Sequence, residues 1–543
     1  MHPEIEEREL AEPYLGGLLA SLGLGVHFSR AEKDTLFYRD DTGREVPVLD
    51  LVGGYGSTII GHNNPDIVAY AKELLDHGVP VHAQFSKHPY ANELAQKVNS
   101  IIRRELGTPD AYSAIFANSG AEAVEIAMKH AEFDRVAKLA RLAEDIERNI
   151  EKARVAVAGG AEVVGGESYE HLGADAEGNR GTAEGRPGSA LTDVIATIRS
   201  VNGERMRAAP VFLAPEGSFH GKLVGSVQLT HNVGFRTPFA SLAAQCRFVP
   251  LHEPDALAKT IESERRTLLD LAVEGDTVRV VERDLPVIAA FVLEPVQGEA
   301  GIRPFDRETA ERVQQACAAA DCPIIVDEVQ SGMGRTGAFF ASSHIGLQGD
   351  YYTLAKSLGG GIAKAAMTLV RDSRYREEFE LVHSSTFAKD AFSTLIAGRT
   401  VDLLEAEDGR VYRMAAERGD RLIRMLRKLQ DEFRTVIKDV RGRGLMIGLE
   451  LHDQSGSTSQ VIAEQSRAGL LGYVLAGYLL RVHALRILPT ASATNTLRLE
   501  PSVHITDAET ARLESGLRAL LVALRDQNGA VLLPTDPAGE SGA

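Results

Sequence analysis

The chain has 543 residues, 44% of them hydrophobic and 25% charged, a composition that excludes collagen, disordered and disulfide-scaffold classes and leaves room for two to four domains of roughly 100–200 residues each. Lys and Arg number 59 against 76 Asp and Glu, a net charge of −17. That balance argues against nucleic-acid or anionic-membrane partners, while allowing a local basic pocket for a small anion. The three cysteines, Cys246, Cys317 and Cys322, fit no metal-ligand spacing and read as reduced, buried thiols of a cytoplasmic protein. The acidic, polar N-terminus does not resemble a signal peptide, and no apolar run reaches the ~18 residues of a membrane span.

In chain order, residues 35–52 predict two short strands around a turn at Asp41-Thr42-Gly43, followed by the flexible loop Gly53-Gly54-Tyr55-Gly56. The apolar spacing of Ile67, Val68, Ala71, Leu74 and Leu75 predicts a helix over 66–77, capped by Asp66 and ended by Gly78. From about 110 the pattern becomes α/β. Apolar strands at 114–117, 211–214, 287–293 and 323–326 alternate with helices, as in a mostly parallel sheet covered on both faces. Residues 132–209 interrupt that order with a charged helix at about 133–157, a glycine-rich stretch expected to be a mobile loop, and a helix near 190–206. Helices near 396–434, a strand at 445–451, a helix at 458–480, two short strands and a helix at 507–525 make a smaller α+β domain, and the tail from Gln527 is expected to be disordered.

Four segments carry chemistry. Phe116-Ala117-Asn118-Ser119-Gly120-Ala121-Glu122-Ala123 is a strand running into a helix start, where free N–H groups bind phosphate. A capping box of Ser119 with Glu122 explains the same residues. Asp327 ends the strand 323–326, where α/β folds bind ligands, and a helix cap or loop ion pair is its other reading. Lys356 is a single lysine in an apolar segment before three glycines. It is either a buried nucleophile able to form a Schiff base or a surface lysine with a buried stem. Arg498, on a short apolar strand, either clamps a substrate carboxylate or pairs with Glu500. Gly332-Met333-Gly334-Arg335-Thr336-Gly337 matches GxGxxG, but it neither directly follows its strand nor opens a helix, so it reads as a glycine-rich loop.

Together these segments resemble the class III aminotransferases, pyridoxal-phosphate enzymes of fold type I. The shared words are NSGAEA at 118–123, SFHGK at 218–222, LEPVQGEAGI at 293–302, IIVDEVQSGMGRTG at 324–337, LAKSLGGG at 354–361, STF at 385–387 and LRLEP at 497–501. The resemblance covers about 35–525 apart from the insertion. It implies a large domain, 86–395, with a mostly parallel seven-stranded sheet. It also implies a small α+β domain formed by 396–526 with the N-terminal segment 1–85, leaving a tail at 527–543. Lys356 would hold pyridoxal 5'-phosphate as a Schiff base and act as general base. Asp327 would pair with the ring nitrogen, Val329 would pack behind the ring, Gln330 would approach its phenolic oxygen and Phe219 would stack on it. Ser119, Gly120 and Ala121 would bind the phosphate. Thr386 would reach the phosphate of the neighbouring subunit's cofactor in a homodimer with interface active sites.

Glu299 and Arg498 match a pair that in ornithine-type members acts as a gate between an amine donor and an oxo acid, and Tyr55 matches a tyrosine that contacts the donor's carboxylate. Lys222 stands where those members carry arginine, and FHGK with LRLEP looks more like the putrescine and diamine members. The resemblance therefore implies a terminal (ω) amine donor and an oxo-acid acceptor such as 2-oxoglutarate. A racemase, aminomutase or decarboxylase of the same fold uses the same lysine and aspartate, and a nicotinamide oxidoreductase would rest on the GxGxxG match alone.

Overall fold

The computed structural model describes residues 11–40, 42–83, 86–164 and 187–533. Its central sheet has seven strands: β1 (Tyr112–Ala117), β2 (Val211–Pro215), β3 (Cys246–Val249), β4 (Ile288–Leu293), β5 (Ile324–Asp327), β6 (Tyr351–Leu354) and β7 (Ala366–Arg371). Their spatial order is β1-β7-β6-β5-β4-β2-β3. β7 runs antiparallel to both neighbours, and the other four pairings are parallel, so the sheet is mostly parallel as expected. Every residue of β2, β5 and β6 is buried, which is why these strands read as continuous apolar runs. Asp327 pairs with Thr353 across the β5–β6 ladder. The two strands therefore end side by side and bring Asp327 and Lys356 to the same edge of the sheet.

The structure differs from the sequence reading in the insertion. There is no separate helix at 133–157. One helix, α1 (Gly120–Ala158), runs unbroken for 39 residues from the candidate phosphate site outward. Its first half packs on the sheet through Ala123, Val124, Ala127 and Ala131. Its second half turns Ile146, Ile150 and Ala153 toward a small module of its own. That module includes α2 (Pro187–Arg205) and a hairpin of strands Arg266–Glu274 and Thr277–Leu285, which the sequence reading missed. Glu162–Val164 adds a parallel third strand to the hairpin. The free edge of Arg266–Glu274 is covered by α2: the Asn202 side chain donates to Leu269 O and accepts from Leu269 N, both at 2.8 Å. Arg135 donates to Pro286 O at 3.0 Å, tying α1 to the base of the hairpin. The glycine-rich centre, 165–186, lies outside the described residues.

Two four-stranded sheets flank the C-terminal half. One is antiparallel and holds Ile437–Arg443, Met446–Leu451, Thr496–Leu499 and Leu488–Pro489. In the other, the N-terminal strand Glu45–Asp50 pairs in parallel with Leu485–Arg486. Buried Asp50 seals this joint by accepting from Arg486 Nη1 at 2.9 Å. The early helix spans Pro65–Asp76 and is capped by Asn64, not Asp66, because Pro65 takes its first position. The helix expected at 458–480 is two, Gln460–Arg467 and Leu471–His483, broken near Gly469, whose φ is +69°. Residues 527–533, expected to be disordered, pack on the domain: Leu532 is buried and its carbonyl accepts from Arg481. Residues 534–543 lie outside the described residues. Among the described residues no helix is long and apolar enough to cross a membrane. All three cysteines are buried and free.

Candidate active site

The site forms where β1, β5 and β6 end. Ser119 caps α1, its hydroxyl accepting from Glu122 N. The expected capping box is not closed, because Glu122 reaches back to the backbone and side-chain nitrogens of Asn118 instead. The first N–H groups of a helix have no partner within it, so Gly120 and Ala121 face an anion-binding end. Gly120 is held against Val329: a Cβ there would lie 2.6 Å from Val329 Cγ1 and 3.5 Å from Ala355 Cβ. The loop carrying Thr386 is anchored here, with Asn118 donating to Ser385 Oγ at 3.0 Å, and Thr386 itself is exposed.

Asp327 is 5% exposed. Its Oδ1 accepts from Val329 N at 3.0 Å and Thr353 Oγ1 at 3.1 Å, and its Oδ2 meets Nδ1 of His220 at 2.7 Å. His220 was not singled out from the sequence, although it lies inside the SFHGK word. Burial opposes its charged form, but the hydrogen bond and charge of Asp327 prevail and hold its pKa above the ordinary value. Behind this pair is Glu294, fully enclosed, accepting from Phe219 N and Gly298 N, with burial pushing its pKa up to about 7.

Lys356 follows β6 in the left-handed region, φ +46°, a strained backbone typical of functional positions. No described residue pairs with its Nζ. Burial lowers its pKa, against the opposing charges of Glu500 and Glu299. An unpaired lysine with a depressed pKa is a ready nucleophile and base.

Arg498 lies on the strand Thr496–Leu499 at 1% exposure. Its Nη2 donates to Glu299 Oε2 at 2.5 Å, and Glu299 also accepts from Ala491 N. The Tyr55 ring centroid is 5.0 Å from the guanidinium carbon. Nε and Nη1 of Arg498 make no hydrogen bond, leaving two donors unspent. Glu500, considered from the sequence only as an ion-pair partner, lies with Oε2 3.9 Å from Arg498 Nη1, and its Oε1 accepts from Gln330 Nε2 at 2.7 Å. Lys222 has its Nζ 4.1 Å over the Phe235 ring, which meets Phe219 edge-on. The Gly332–Gly337 loop wraps buried Arg335, which donates to the carbonyls of Gly56, Leu445 and Pro501. It is a structural knot and not a dinucleotide cradle.

A helix start, a glycine pressed against Val329, a locked carboxylate and an unpaired lysine fit pyridoxal phosphate. The model of the class III aminotransferases matches residues 25–513, and the chain belongs to that family, whose members depend on pyridoxal phosphate. Among curated relatives, a putrescine aminotransferase of Pectobacterium atrosepticum is 27% identical over 467 residues, 86% of this chain and 76% of the relative. Among solved structures, an ornithine aminotransferase of Toxoplasma gondii ME49 has a TM-score of 0.63 at 18% identity, covering 93% and 92% of the two chains. A thermostable omega transaminase from Pseudomonas jessenii has a TM-score of 0.67 at 19% identity, covering 96% and 97%. The fold is therefore that of the class III transaminases.

Proposed function

We infer that this aminotransferase moves a terminal amino group from a diamine or diamino acid to an oxo acid such as 2-oxoglutarate. The observation that carries this reading is the Glu299–Arg498 contact at 2.5 Å, beside Tyr55 and within electrostatic reach of Lys356. Glu299 supplies a negative charge for the far amine of a donor. When it turns away, the unspent donors of Arg498 receive the far carboxylate of an oxo acid.

When bound, pyridoxal phosphate supplies an electrophilic carbon for the donor nitrogen and a ring that accepts electrons from the adjacent bond. Lys356 Nζ would hold the cofactor covalently and, once displaced by the donor, would be the base for the proton on the carbon bearing the donor nitrogen. Asp327, fixed by Val329, Thr353 and His220, keeps a proton on the ring nitrogen. Ser119, Gly120 and Ala121 bind the phosphate. Phe219 and Val329 enclose the ring's faces, and Gln330, its amide nitrogen turned to Glu500, has a second N–H for the phenolic oxygen.

The reading extends to a homodimer in which Thr386 completes the partner's phosphate site. The apolar side chains flanking that loop, Leu381 at 89% and Phe387 at 62% exposure, support it. Three free buried thiols suit the cytoplasm. The domain divisions at about 85, 395 and 526 suit the same plan, with the N-terminal strand Glu45–Asp50 joined to the C-terminal half.

The test is a visible-absorbance titration of the holoenzyme with putrescine, ornithine, 4-aminobutyrate and alanine, without acceptor. A terminal amine should bleach the bound chromophore, 2-oxoglutarate should restore it, and Lys356→Ala should be silent. Product formation that never requires an oxo acid would instead indicate racemase, aminomutase or decarboxylase chemistry.

A further inference from the structure

Glu500 is a buried acid near the site whose charge the mechanism above does not use. It is 0% exposed and follows the strand Thr496–Leu499, its backbone N donating to Leu51 O at 2.7 Å. A Cβ on Gly56 would lie 3.3 Å from its Oε1, so the glycine allows the backbone to pass close to this carboxylate. Oε1 is occupied by Gln330, while Oε2 makes no hydrogen bond and faces Arg498 Nη1 at 3.9 Å. Glu299 differs: it stands in the turn after Val296–Gln297, and both its hydrogen bonds, from Arg498 and from Ala491 N, fall on one oxygen, Oε2.

The geometry points to Glu500 as a specificity-determining residue: its buried carboxylate behind Arg498 biases the pocket toward donors whose far end is a cationic amine and against ligands whose far end is a carboxylate. This rests on the reading that Arg498 and Glu299 face the far end of the substrate. The cations near Glu500 are Arg498, Lys356 and Arg335, and Arg335 is engaged by three backbone carbonyls. A charge this close in a dry site weakens the arginine's pull on a second carboxylate and strengthens the pocket's pull on an ammonium. Glu500 cannot block the oxo acid outright, because Arg498 keeps two unspent donors.

Glu500→Gln tests this. Glutamine can still accept from Gln330, and since Oε2 makes no hydrogen bond, the exchange removes charge without breaking one. In the holoenzyme, the Kd of glutarate, a dicarboxylate that cannot react, should fall about tenfold by calorimetry, while kcat/KM for putrescine falls about tenfold. Butylamine, with no far charge, carries whatever the lost charge does to Lys356, so the putrescine change is read relative to it. Glu500→Met, also uncharged but without an oxygen for Gln330, should keep glutarate and putrescine moving apart on top of a loss common to both amines. A packing role would degrade all three ligands together. Losses in the same direction, or no change in glutarate and putrescine, would overturn the proposal. If no terminal amine bleaches the wild-type enzyme, the donor reading fails, and the glutarate measurement still decides whether Glu500 restrains Arg498.

Discussion

His220 Nδ1 lies 2.7 Å from Asp327 Oδ2, with both side chains buried. Together with Val329 N and Thr353 Oγ1 this contact leaves the carboxylate no freedom to rotate. A hydrogen bond to a charged group contributes about 1.5–3 kcal/mol, so His220→Ala is expected to slow the amine half-reaction by one to two orders of magnitude. His220→Asn, which retains an N–H donor, should recover part of that loss. Stopped-flow absorbance measures both. Equal rates in wild type and His220→Ala would show that Asp327 is held without it.

Asp34 gives the fold a pH dependence. It is 3% exposed, and its oxygens accept from Ser502 N and Ser502 Oγ. Burial raises its pKa from the ordinary 3.8 to about 6, more than the Ser502 hydrogen bonds lower it. A raised folded-state pKa means that the folded state holds the proton more tightly. The associated stability is present below about pH 4 and is lost as pH rises through about 6, a change of about 3 kcal/mol. Asp34→Asn, which can keep both contacts with Ser502, should remove that part of the slope. Denaturant melts at pH 5 and pH 8 should show the variant gaining on wild type at the higher pH, and parallel shifts at both would refute the assignment.

Asn202 closes the edge of the hairpin strand Arg266–Glu274 like one more residue of sheet. Replacing it with Leu leaves the N–H and carbonyl of Leu269 buried without partners, at about 1–3 kcal/mol each. Asn202→Leu should therefore lower the melting temperature while leaving the absorbance of bound cofactor unchanged. Unchanged stability would mean that water replaces the amide.

The chemistry was legible because it lies in short contiguous words at strand ends: Asp327 closes β5, Lys356 follows β6, and Ser119-Gly120 open α1. Residues that act through others were harder to see. His220 is one residue from Phe219, yet nothing local shows that it meets Asp327, 107 residues away. Glu500 became more than a counter-ion only when its contact with Gln330, 170 residues away, was known. The position of Lys222 over Phe235 likewise depends on packing, not on the word it belongs to. The hairpin at 266–285 did carry a local signal, alternating residues around Glu274-Gly275-Asp276 with Gly275 at φ +60°. The continuity of α1 was also present in the sequence, as the absence of any Gly or Pro between 121 and 158.

That continuity bears on how the protein can be shortened. α1 is 39 residues long, about 58 Å at 1.5 Å per residue. A single deletion of 132–209 would strip the cover from the hairpin and expose Leu268, Leu269 and Leu271, all now buried. A minimal catalytic domain requires two coordinated excisions: one ending α1 after it leaves the sheet, the other replacing the hairpin by a short link into β4. Removing either part alone would leave an apolar surface ready to aggregate.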